Sequence, residues 1–385
     1  MQSLVHREGE AMWRENCDPR PDWRQRVESQ GFVFHSPDGE PYWDEGACYR
    51  FSVGEVDELE AATLELDRMC LEAVESVLAE GRLGMFGIPE AFHSWIRESW
   101  ETQELTLYGR FDLCWRPGQP PRLLEYNADT PTSLLEAAVI QWYWLKDTRP
   151  EGDQFNSIHE KLISAWKRLG AEFRGGVHFA SAAGSAEDFM TATYLRDTAA
   201  QGGLPTVHLP MDSIGWNDRL GKFLDPKGRE IRTIFKLYPW EWMFHEAFGV
   251  HLTRAATRWL EAPWKAILSN KALLVVLWDL FPGNPHLLEA RLEPFGTSFA
   301  QKPLLGREGA NIAIVSEGEI TARTEGPYGH QPSVYQQLCP LPVFGGNHML
   351  AGSWMVNGHA CGLGVREDSG PITGNTSRFV PHWMG

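Results

Sequence analysis

The residues most able to do chemistry lie in two short segments that resemble the strands of one hairpin. The first segment contains Arg110 and Asp112, and the second contains Glu125 and Asn127. Leucine and phenylalanine residues alternate with the polar ones in the first segment, which is the period of a half-buried strand. A turn rich in proline and glycine, at 116–121, separates the two segments. Because side chains alternate between the faces of a strand, such a hairpin can bring the metal-ligating types onto one face.

This set of side chains is suited to a hard cation and a phosphate group. Two carboxylates and an amide oxygen are ligands that Mg²⁺ accepts when waters and phosphate oxygens complete its coordination. Arg110, on the same side as Asp112, would supply the positive charge that a transferring phosphoryl group requires. A hairpin with solvated charges on its open face has the same spacing, so the spacing alone leaves both interpretations open.

Two lysines farther along the chain indicate an anion site. Lys271 stands at the start of an apolar helix predicted over 272–280, where a cation is unfavourable unless an anion lies nearby. Lys302 ends a predicted strand and precedes the loop 306–309, whose backbone N–H groups could clamp phosphates. A plain hairpin turn also fits that loop. Neither a G-x-x-x-x-G-K-[ST] nor a G-x-G-x-x-G motif occurs, so a nucleotide site would have to be of another type.

Hydrophobic periodicity predicts the elements that position these residues. Helices are predicted over 53–80, 155–169, 185–200 and 240–259. A further helix is predicted to run through Ala137, Ile140 and Trp144. Thr132 or Ser133, with Glu136 behind, can cap its start. Strands are predicted over 177–180, 205–210, 231–238, 298–303, 310–317, 333–338, 349–356 and 359–365. We therefore expect a mixed α/β (α+β) protein with an α/β layer in the middle, flanking helices and a mostly antiparallel second half.

Composition and charge limit the class of protein. The 385 residues, 43% hydrophobic and 22% charged, are typical of a globular chain that holds one large catalytic unit or two to three packed subdomains. A net charge of -16 disfavours nucleic acid as a partner and is compatible with a cationic substrate. Six scattered cysteines without a C-x-x-C pair indicate a reducing compartment. No apolar run reaches signal-peptide or membrane-span length, so we expect a cytoplasmic protein without a membrane partner, whose oligomeric state does not follow from the sequence.

Five ordered groups of motifs resemble a known family. They are Arg110-Phe111-Asp112, Glu125-Tyr126-Asn127-Ala128-Asp129, Ser269-Asn270-Lys271, Lys302-Pro303 with Gly306-Arg307-Glu308-Gly309, and Gly352-Ser353-Trp354 with Gly364-Val365-Arg366-Glu367-Asp368. Together they are similar to the synthetase domain of glutathionylspermidine synthase and its stand-alone homologues. The resemblance runs from about residue 20 to the C-terminus, so residues 1–20 are expected to be a polar tail and 21–385 a catalytic region. It implies an ATP-grasp fold of circularly permuted order, in which metal ligands precede phosphate-binding lysines.

The resemblance also implies ATP and Mg²⁺ as cofactors and a role for each matching residue. Asp112, Glu125 and Asn127 would hold Mg²⁺, and Arg110 would contact the transferring phosphoryl group or the acyl phosphate. ATP would be bound by Lys271, Lys302, the loop residues Gly306, Arg307 and Gly309, and the strand end Gln336, Gln337 and Leu338. Arg366 would stabilise a tetrahedral intermediate, and Thr130, Thr132 and Ser133 would face the acyl substrate. The implied reaction joins an acid to an amine through an acyl phosphate, with a glutathione-like peptide and a polyamine such as spermidine as the family's substrates.

The chain departs from the family pattern in two places. Bifunctional members carry an amidase domain ahead of the synthetase, whereas about twenty residues precede Pro21-Asp22-Trp23 here, so no separate amidase domain is expected and Cys17 is interpreted as a tail residue. The segment from Asp129 to Ser133 also differs from the Ser-rich form of glutathione-binding members, which leaves the acyl substrate open.

Three hypotheses remain on the sequence. The protein is an ATP-dependent acid–amine ligase, a catalytically silent ATP-grasp protein that binds nucleotide or a partner, or a different phosphotransferase that uses the same Mg-ATP site. The complete set of polar motifs favours the ligase. ADP release that depends on an added amine separates a ligase from a kinase-like enzyme.

Overall fold

The computed structural model describes residues 12–173 and 175–385. Within them the α-helices, in chain order, are α1 (Trp23–Ser29), α2 (Val53–Ala79), α3 (His93–Glu101), α4 (Gln141–Thr148), α5 (Ile158–Leu169), α6 (Ala186–Gln201), α7 (Trp240–Met243), α8 (Lys265–Leu268) and α9 (Leu273–Leu280). Single turns of 3₁₀-helix lie at Pro37–Gly39, Arg82–Phe86, Glu90–Phe92, Gly170–Glu172, Met211–Ser213 and Ala247–His251, and a π-helix covers Glu136–Ile140. No helix of the described chain combines the length and the apolar character that crossing a membrane requires.

Strands occupy much of the remaining chain and dominate its last third. They are β1 (Trp13–Asn16), β2 (Ala47–Phe51), β3 (Tyr108–Cys114), β4 (Arg122–Asn127), β5 (Val177–Ser181), β6 (Thr206–Pro210), β7 (Gly215–Asn217), β8 (Lys222–Leu224), β9 (Thr233–Leu237), β10 (Arg258–Leu260), β11 (Ala290–Arg291), β12 (Phe299–Pro303), β13 (Ala313–Ser316), β14 (Glu319–Arg323), β15 (Ser333–Gln337), β16 (Val343–Phe344), β17 (Asn347–Val356), β18 (His359–Asp368), β19 (Arg378–Val380) and β20 (His382–Met384). The prediction of mixed α/β architecture with flanking helices is confirmed.

The sheet that carries the predicted hairpin is antiparallel and buried on both faces. Its order is β19-β18-β17-β3-β4, with β16 also paired to β17. Helix α2 covers one face, where the Thr63 hydroxyl lies 2.7 Å from that of Ser353 on β17. Helix α5 covers the other face and packs its Ile158 side chain directly on Gly362 of β18, where a Cβ atom would lie 2.5 Å from Ile158 Cδ1. Two hydrophobic cores therefore form, one on each side of the sheet.

Helix α2 forms as predicted because its sequence satisfies both its start and its buried face. Ser52 accepts a hydrogen bond from the Glu55 backbone N–H, and the Glu55 carboxylate accepts one from the Ser52 N–H. This capping box satisfies two donors at the N-terminus of the helix. Buried residues then recur at helical spacing on the face that meets the sheet.

Two further sheets, one parallel and one antiparallel, contain most of the remaining strands. Strands β10-β9-β5-β6 form a parallel sheet, with α6 packed against β5, β6 and β9, which confirms the predicted α/β layer in the middle of the chain. Strands β11-β15-β12-β13-β14 form an antiparallel sheet from the second half. Smaller sheets are β1-β2-β20 and β7-β8.

The predicted helix over 240–259 is wrong. The segment forms α7, a 3₁₀ turn over Ala247–His251 and strand β10, which pairs in parallel with β9. Gly249 packs against the Met243 carbonyl oxygen, where a Cβ atom would lie at 2.6 Å, so the chain folds back on itself there. The aromatic residues recur at helical spacing, which is the basis of the predicted helix. The end of the segment instead forms β10, because it can pair with the open edge of β9.

The predicted polar tail lies partly outside the described residues, and its described part, 12–20, is folded. Met12 is buried and β1 pairs with β2. Arg14 Nε lies 2.8 Å from Glu367 Oε2, and Arg20 Nη2 lies 2.6 Å from Glu45 Oε1. These long-range ion pairs join polar residues whose partners lie far away in the sequence, so local composition does not indicate them.

The predicted cap at Thr132 or Ser133 is also wrong. Ser133 has a φ of 65°, outside the extended conformation of a normal N-cap residue, and its hydroxyl is 2.8 Å from Tyr42 Oη. The chain turns into helix after it and widens into the π-helix that begins at Glu136. Glu136 therefore does not complete a capping box.

A buried ion pair fixes the start of β3. Glu261 accepts hydrogen bonds from the backbone N–H groups of Leu107 and Tyr108 at 3.0 and 3.1 Å, and it lies 2.7 Å from Lys265 Nζ. Lys265 Nζ in turn donates to the Tyr108 carbonyl oxygen at 2.6 Å. Both side chains are almost fully buried. The pair therefore anchors the strand whose next residues include Arg110 and Asp112.

Glu261→Gln is expected to lower the free energy of unfolding by about 3–5 kcal/mol, because it leaves Lys265 buried without a counter-charge. Glu72→Gln is the matched control, since Glu72 pairs with Arg68 on the exposed face of α2 and its loss should cost under about 1 kcal/mol. Urea unfolding of both variants measures the difference. Equal losses in the two variants would contradict the anchoring role of Glu261.

Candidate functional site

The hairpin of β3 and β4 brings together the four residues predicted for it. Their register places Asp112 opposite Glu125 and Arg110 opposite Asn127. Arg110 donates to both carboxylate oxygens of Asp112, Nε to Oδ1 at 2.6 Å and Nη2 to Oδ2 at 3.0 Å. The Asn127 amide lies between the two carboxylates, 3.0 Å from Asp112 Oδ2 and 3.2 Å from Glu125 Oε1. The prediction that these side chains share one face is confirmed.

Two lysines from other elements approach the same carboxylates. Lys271, just before α9, places Nζ 2.9 Å from Glu125 Oε2 and donates to the Gly306 carbonyl oxygen at 2.6 Å. Lys302, on β12, donates to the Leu124 carbonyl oxygen at 3.0 Å and to Gln336 Oε1 at 2.8 Å. Strand pairing explains the second contact, because β12 and β15 are neighbours in the antiparallel sheet.

The acidic and basic groups of the site shift each other's pKa values. Burial by itself would raise the pKa of Glu125, but the Lys271 and Lys302 ammonium groups outweigh it and lower that pKa to about 2. Burial lowers the pKa of Lys302 to about 8, against the opposing attraction of Glu125. The site therefore holds an ionised carboxylate beside a lysine whose proton is unusually easily lost.

These residues line a cavity of about 240 Å³. The predicted site residues in its wall are Arg110, Asp112, Glu125, Asn127, Thr130, Thr132, Lys271, Lys302, Gly306, Arg307, Gly309, Gln336, Gln337, Leu338 and Arg366. Ser133 is the exception among the predicted residues. It is buried beside Tyr42 and is not part of the cavity wall. Its left-handed backbone turns the side chain into the core.

Arg366 and the loop 306–309 approach the cavity from two further sides. Arg366, on β18, donates through Nη2 to the carbonyl oxygens of Gly374, Asn375 and Ser377 at 2.5, 3.0 and 3.2 Å. Arg307 donates through Nη2 to Thr130 Oγ1 at 2.7 Å. The cavity wall thus combines residues of three sheets.

Several polar residues of the site have no predicted role. Asp129 is buried, with Oδ1 2.5 Å from Lys236 Nζ and Oδ2 accepting from the Trp240 N–H at 3.0 Å. The sequence contains one indication of this ion pair, because Lys236 lies within the apolar strand β9 and a buried lysine requires a partner. Asp188 and Glu241 also line the cavity.

A group of buried acids lies beside the cavity. Glu136 is fully buried, and neither of its carboxylate oxygens has a hydrogen-bond partner among the described residues. Burial raises its pKa to about 7, and the Glu187 carboxylate adds to the shift. Burial likewise raises the pKa of Asp188 to about 6, again with a contribution from Glu187. Arg366 opposes the shifts of Glu136 and Glu187.

The cysteines, scattered in the sequence, form two close thiol pairs. The sulfur atoms of Cys17 and Cys48 are 3.1 Å apart, and those of Cys114 and Cys339 are 2.9 Å apart. All six cysteines are free thiols. Cys339 follows the strand end at Leu338 and lines the cavity. Cys17 is thus not a tail residue, since it contacts β2.

No group of three or more His, Cys, Asp or Glu side chains suited to a metal ion occurs in residues 12–173 and 175–385. The candidate metal ligands are instead the two carboxylates and the amide of the hairpin. Since Asn127 Nδ2 touches both carboxylates, exchanging the amide nitrogen and oxygen would direct three oxygens to one point. That donor set fits a hard cation such as Mg²⁺.

The fold and the cavity define a mixed α/β protein in which basic and acidic side chains from three sheets line one cavity. The model of the family described as glutathionylspermidine synthase preATP-grasp matches residues 14–385. The chain belongs to this family.

Relatives of known name agree with this assignment. The chain is 41% identical over 383 residues to a Haemophilus influenzae protein named "Putative acid--amine ligase", covering 95% of this chain and 97% of that protein. It is 31% identical to the trypanothione synthetase of Crithidia fasciculata, covering 80% of this chain and 52% of that protein. It is 29% identical to the bifunctional glutathionylspermidine synthetase/amidase of Escherichia coli, covering 96% of this chain and 63% of that protein. The chain thus spans about half to two thirds of the length of the last two.

One solved structure supports the fold. A glutathione synthetase-like effector from Globodera pallida superposes with a TM-score of 0.55 at 8% sequence identity, covering 87% of this chain and 89% of that one. At that identity the likeness concerns the fold alone.

Glu136→Gln is expected to stabilise the protein at pH 8 and to have little effect near pH 5. A folded pKa of about 7, above the ordinary 4.5, means that the folded state binds the proton more tightly. The wild-type protein therefore loses stability as pH rises from about 4.5 to 7, by up to about 3 kcal/mol, whereas a neutral amide does not titrate. Urea unfolding of both proteins at the two pH values measures this.

Glu319→Gln on exposed β14 is the control and should show no pH-dependent difference. If Glu136→Gln changed stability by the same amount at pH 5 and pH 8, the raised pKa of Glu136 would be refuted.

Proposed function

We propose that the protein is an ATP- and Mg²⁺-dependent carboxylate–amine ligase with an ATP-grasp fold of circularly permuted order. The observation that carries the proposal is the convergence of Asp112, Glu125 and Asn127 with Arg110, Lys271 and Lys302 around one cavity. The family and the name of the Haemophilus relative support it. The metal ligands precede the lysines in the chain, which is the expected permuted order.

Asp112, Glu125 and Asn127 would hold Mg²⁺. The bound ion would neutralise the charge on the phosphate oxygens of ATP and so favour phosphoryl transfer. The two carboxylates are at present paired with Arg110 and Lys271. These cations are therefore placed to turn to phosphate oxygens once the carboxylates bind another cation.

ATP would lie between the antiparallel sheet of the second half and the hairpin. Lys271 and Lys302 would bind phosphates, and the loop 306–309 would cover them with its backbone N–H groups. The strand end 336–338 lines the cavity next to Lys302 and would offer backbone groups to adenine. Burial and, to a smaller extent, repulsion by Lys271 lower the pKa of Lys302, and a phosphate group would relieve that repulsion.

The chemistry consists of two displacements. A carboxylate oxygen of the acid attacks the γ-phosphorus of ATP, ADP leaves, and an acyl phosphate forms. A neutral amine then attacks the acyl carbon, phosphate leaves, and the nitrogen loses a proton as the amide forms. Arg110 and Arg366, which both line the cavity, would stabilise the negative charge of the two steps. No nucleophile of the protein is required.

The cavity wall favours an amine that arrives as a cation. Asp188 and Glu308 contribute carboxylates to the wall in addition to the proposed metal ligands. They would attract ammonium groups of a polyamine such as spermidine, while one terminal nitrogen loses its proton before it attacks. Thr130 and Thr132 lie on the side proposed for the acid, of which a glutathione-like peptide is the family's example.

Purified protein with Mg-ATP is expected to release ADP only when a carboxylate and an amine are both present. Panels of acids, each with and without polyamines, identify the pair. Asp112→Asn keeps the size of the side chain but removes a ligand charge, so we expect turnover to fall by on the order of a hundredfold or more. Asp279→Asn, an exposed position on α9, is the matched control and should retain activity.

ADP release that needs the acid alone would indicate a phosphotransferase. Nucleotide binding without turnover on any pair would indicate a silent binder. Failure to bind nucleotide at all would refute the roles given to Lys271 and Lys302.

A further inference from the structure

The side chain of Arg307 joins three parts of the cavity wall. Arg307 lies in the loop between β12 and β13, in the antiparallel sheet of the second half. Its Nη2 donates to Thr130 Oγ1 at 2.7 Å, in the segment after β4, and its Nη1 lies 3.4 Å from Glu241 Oε1, after β9. The guanidinium also lies 5.9 Å from the centre of the Trp242 ring. The loop is thereby attached to the other two sheets.

One buried carboxylate connects the two segments that carry the partners of Arg307. Asp129, next to Thr130, lies 2.5 Å from Lys236 Nζ and accepts the backbone N–H of Trp240, next to Glu241, at 3.0 Å. The Asp129 and Lys236 side chains are 2% and 0% exposed. The backbone segments that carry the two acceptors for Arg307 are therefore joined by one buried hydrogen-bonded ion pair.

Other contacts hold the remainder of the loop. The Lys271 ammonium donates to the Gly306 carbonyl oxygen at 2.6 Å, and Thr324 Oγ1 donates to that of Gly309 at 2.5 Å. Gly309 has a φ of 71° and packs against the Thr373 backbone, where a Cβ atom would lie at 2.3 Å. If phosphate draws the Lys271 ammonium away, the Gly306 contact is lost. Thr324 and Arg307 then still hold the loop, and Arg307 is the one of the two that reaches the other two sheets.

We propose that Thr130 and Glu241 are positioning residues that hold the loop 306–309 closed by binding Arg307, and that this closure strengthens nucleotide binding. The inference rests on the proposed function for the identity of the nucleotide. It gives Thr130 a role different from contact with the acyl substrate, because its hydroxyl oxygen accepts a hydrogen bond from Arg307. Glu241 has the same role from the other side.

Nucleotide affinity without acid or amine tests the proposal. Isothermal titration with MgADP and with a non-hydrolysable ATP analogue is carried out on the wild type, Thr130→Val, Thr130→Ser and Glu241→Ala. Thr130→Val removes the hydroxyl at nearly constant volume, and Glu241→Ala removes the carboxylate. Each is expected to weaken binding about fivefold to tenfold, as for loss of one charge-assisted hydrogen bond. Thr130→Ser keeps the hydroxyl and should bind nearly as the wild type.

Hydrogen exchange of the nucleotide-free proteins gives a second readout. The backbone amides of 304–310 should exchange faster in Thr130→Val and Glu241→Ala, while those of β3 and α2 stay unchanged. Unchanged β3 and α2 also show that the variants are folded. Glu319→Gln, on the exposed face of β14, should change neither affinity nor exchange.

A double-mutant cycle identifies Arg307 as the link. In an Arg307→Ala background, Thr130→Val and Glu241→Ala should have no further effect on affinity, because the shared partner is gone. Fully additive losses would overturn the proposal.

The remaining outcomes separate this inference from the proposed function. A wild type that does not bind nucleotide refutes the nucleotide site, while faster exchange of 304–310 in the variants would still support the closure by Arg307. Unaltered affinity and unaltered exchange in both variants would overturn it. Normal nucleotide binding by Thr130→Val, with a higher acid concentration needed for ADP release, would show that Thr130 contacts the acid instead. If one variant does not fold, the other decides the question.

Discussion

The antiparallel register of β3 with β4 is the constraint on which the rest of the site depends. It places Asp112 opposite Glu125, so that two carboxylates meet on one face at the end of a buried sheet. Bringing like charges together in a partly buried place is unfavourable unless cations neutralise them. Arg110 and Lys271 do so, and Asn127 lies between the carboxylates. The cations of the cavity are thus a consequence of that register.

Charge is distributed unevenly in this acidic protein. The chain carries a net charge of -16, yet Arg110, Lys271, Lys302, Arg307 and Arg366 gather in the wall of one cavity. Long-range attraction by the whole protein therefore favours a cationic substrate, while the local field favours an anion. A site that joins a phosphorylated acid to an amine requires both fields within a short distance.

The ordered motifs of the sequence were sufficient to predict the family and most of the charged residues of the cavity wall. Period-2 and 3.6-residue patterns also predicted α2, α5, α6 and most of the main strands, because those elements bury one continuous face. The errors occur where a partner distant in the sequence decides the conformation. The segment 240–259 leaves its helix because β9 has an open edge, and Ser133 turns inward to Tyr42. The fold of 12–20 likewise depends on Glu45 and Glu367.

The sequence by itself determined which residues have the chemistry of a metal and phosphate site, since oxygen ligands at a strand period and lysines beside glycines are local patterns. Only the tertiary structure decided which partner each of those residues contacts. It alone shows the pairing of Asp129 with Lys236, the contact of Arg307 with Thr130, the burial of Glu136 and the two thiol pairs. The physical reason is that these contacts join elements from separate sheets, and the energy of a buried charge depends on what lies within a few ångströms, not on its neighbours in the chain.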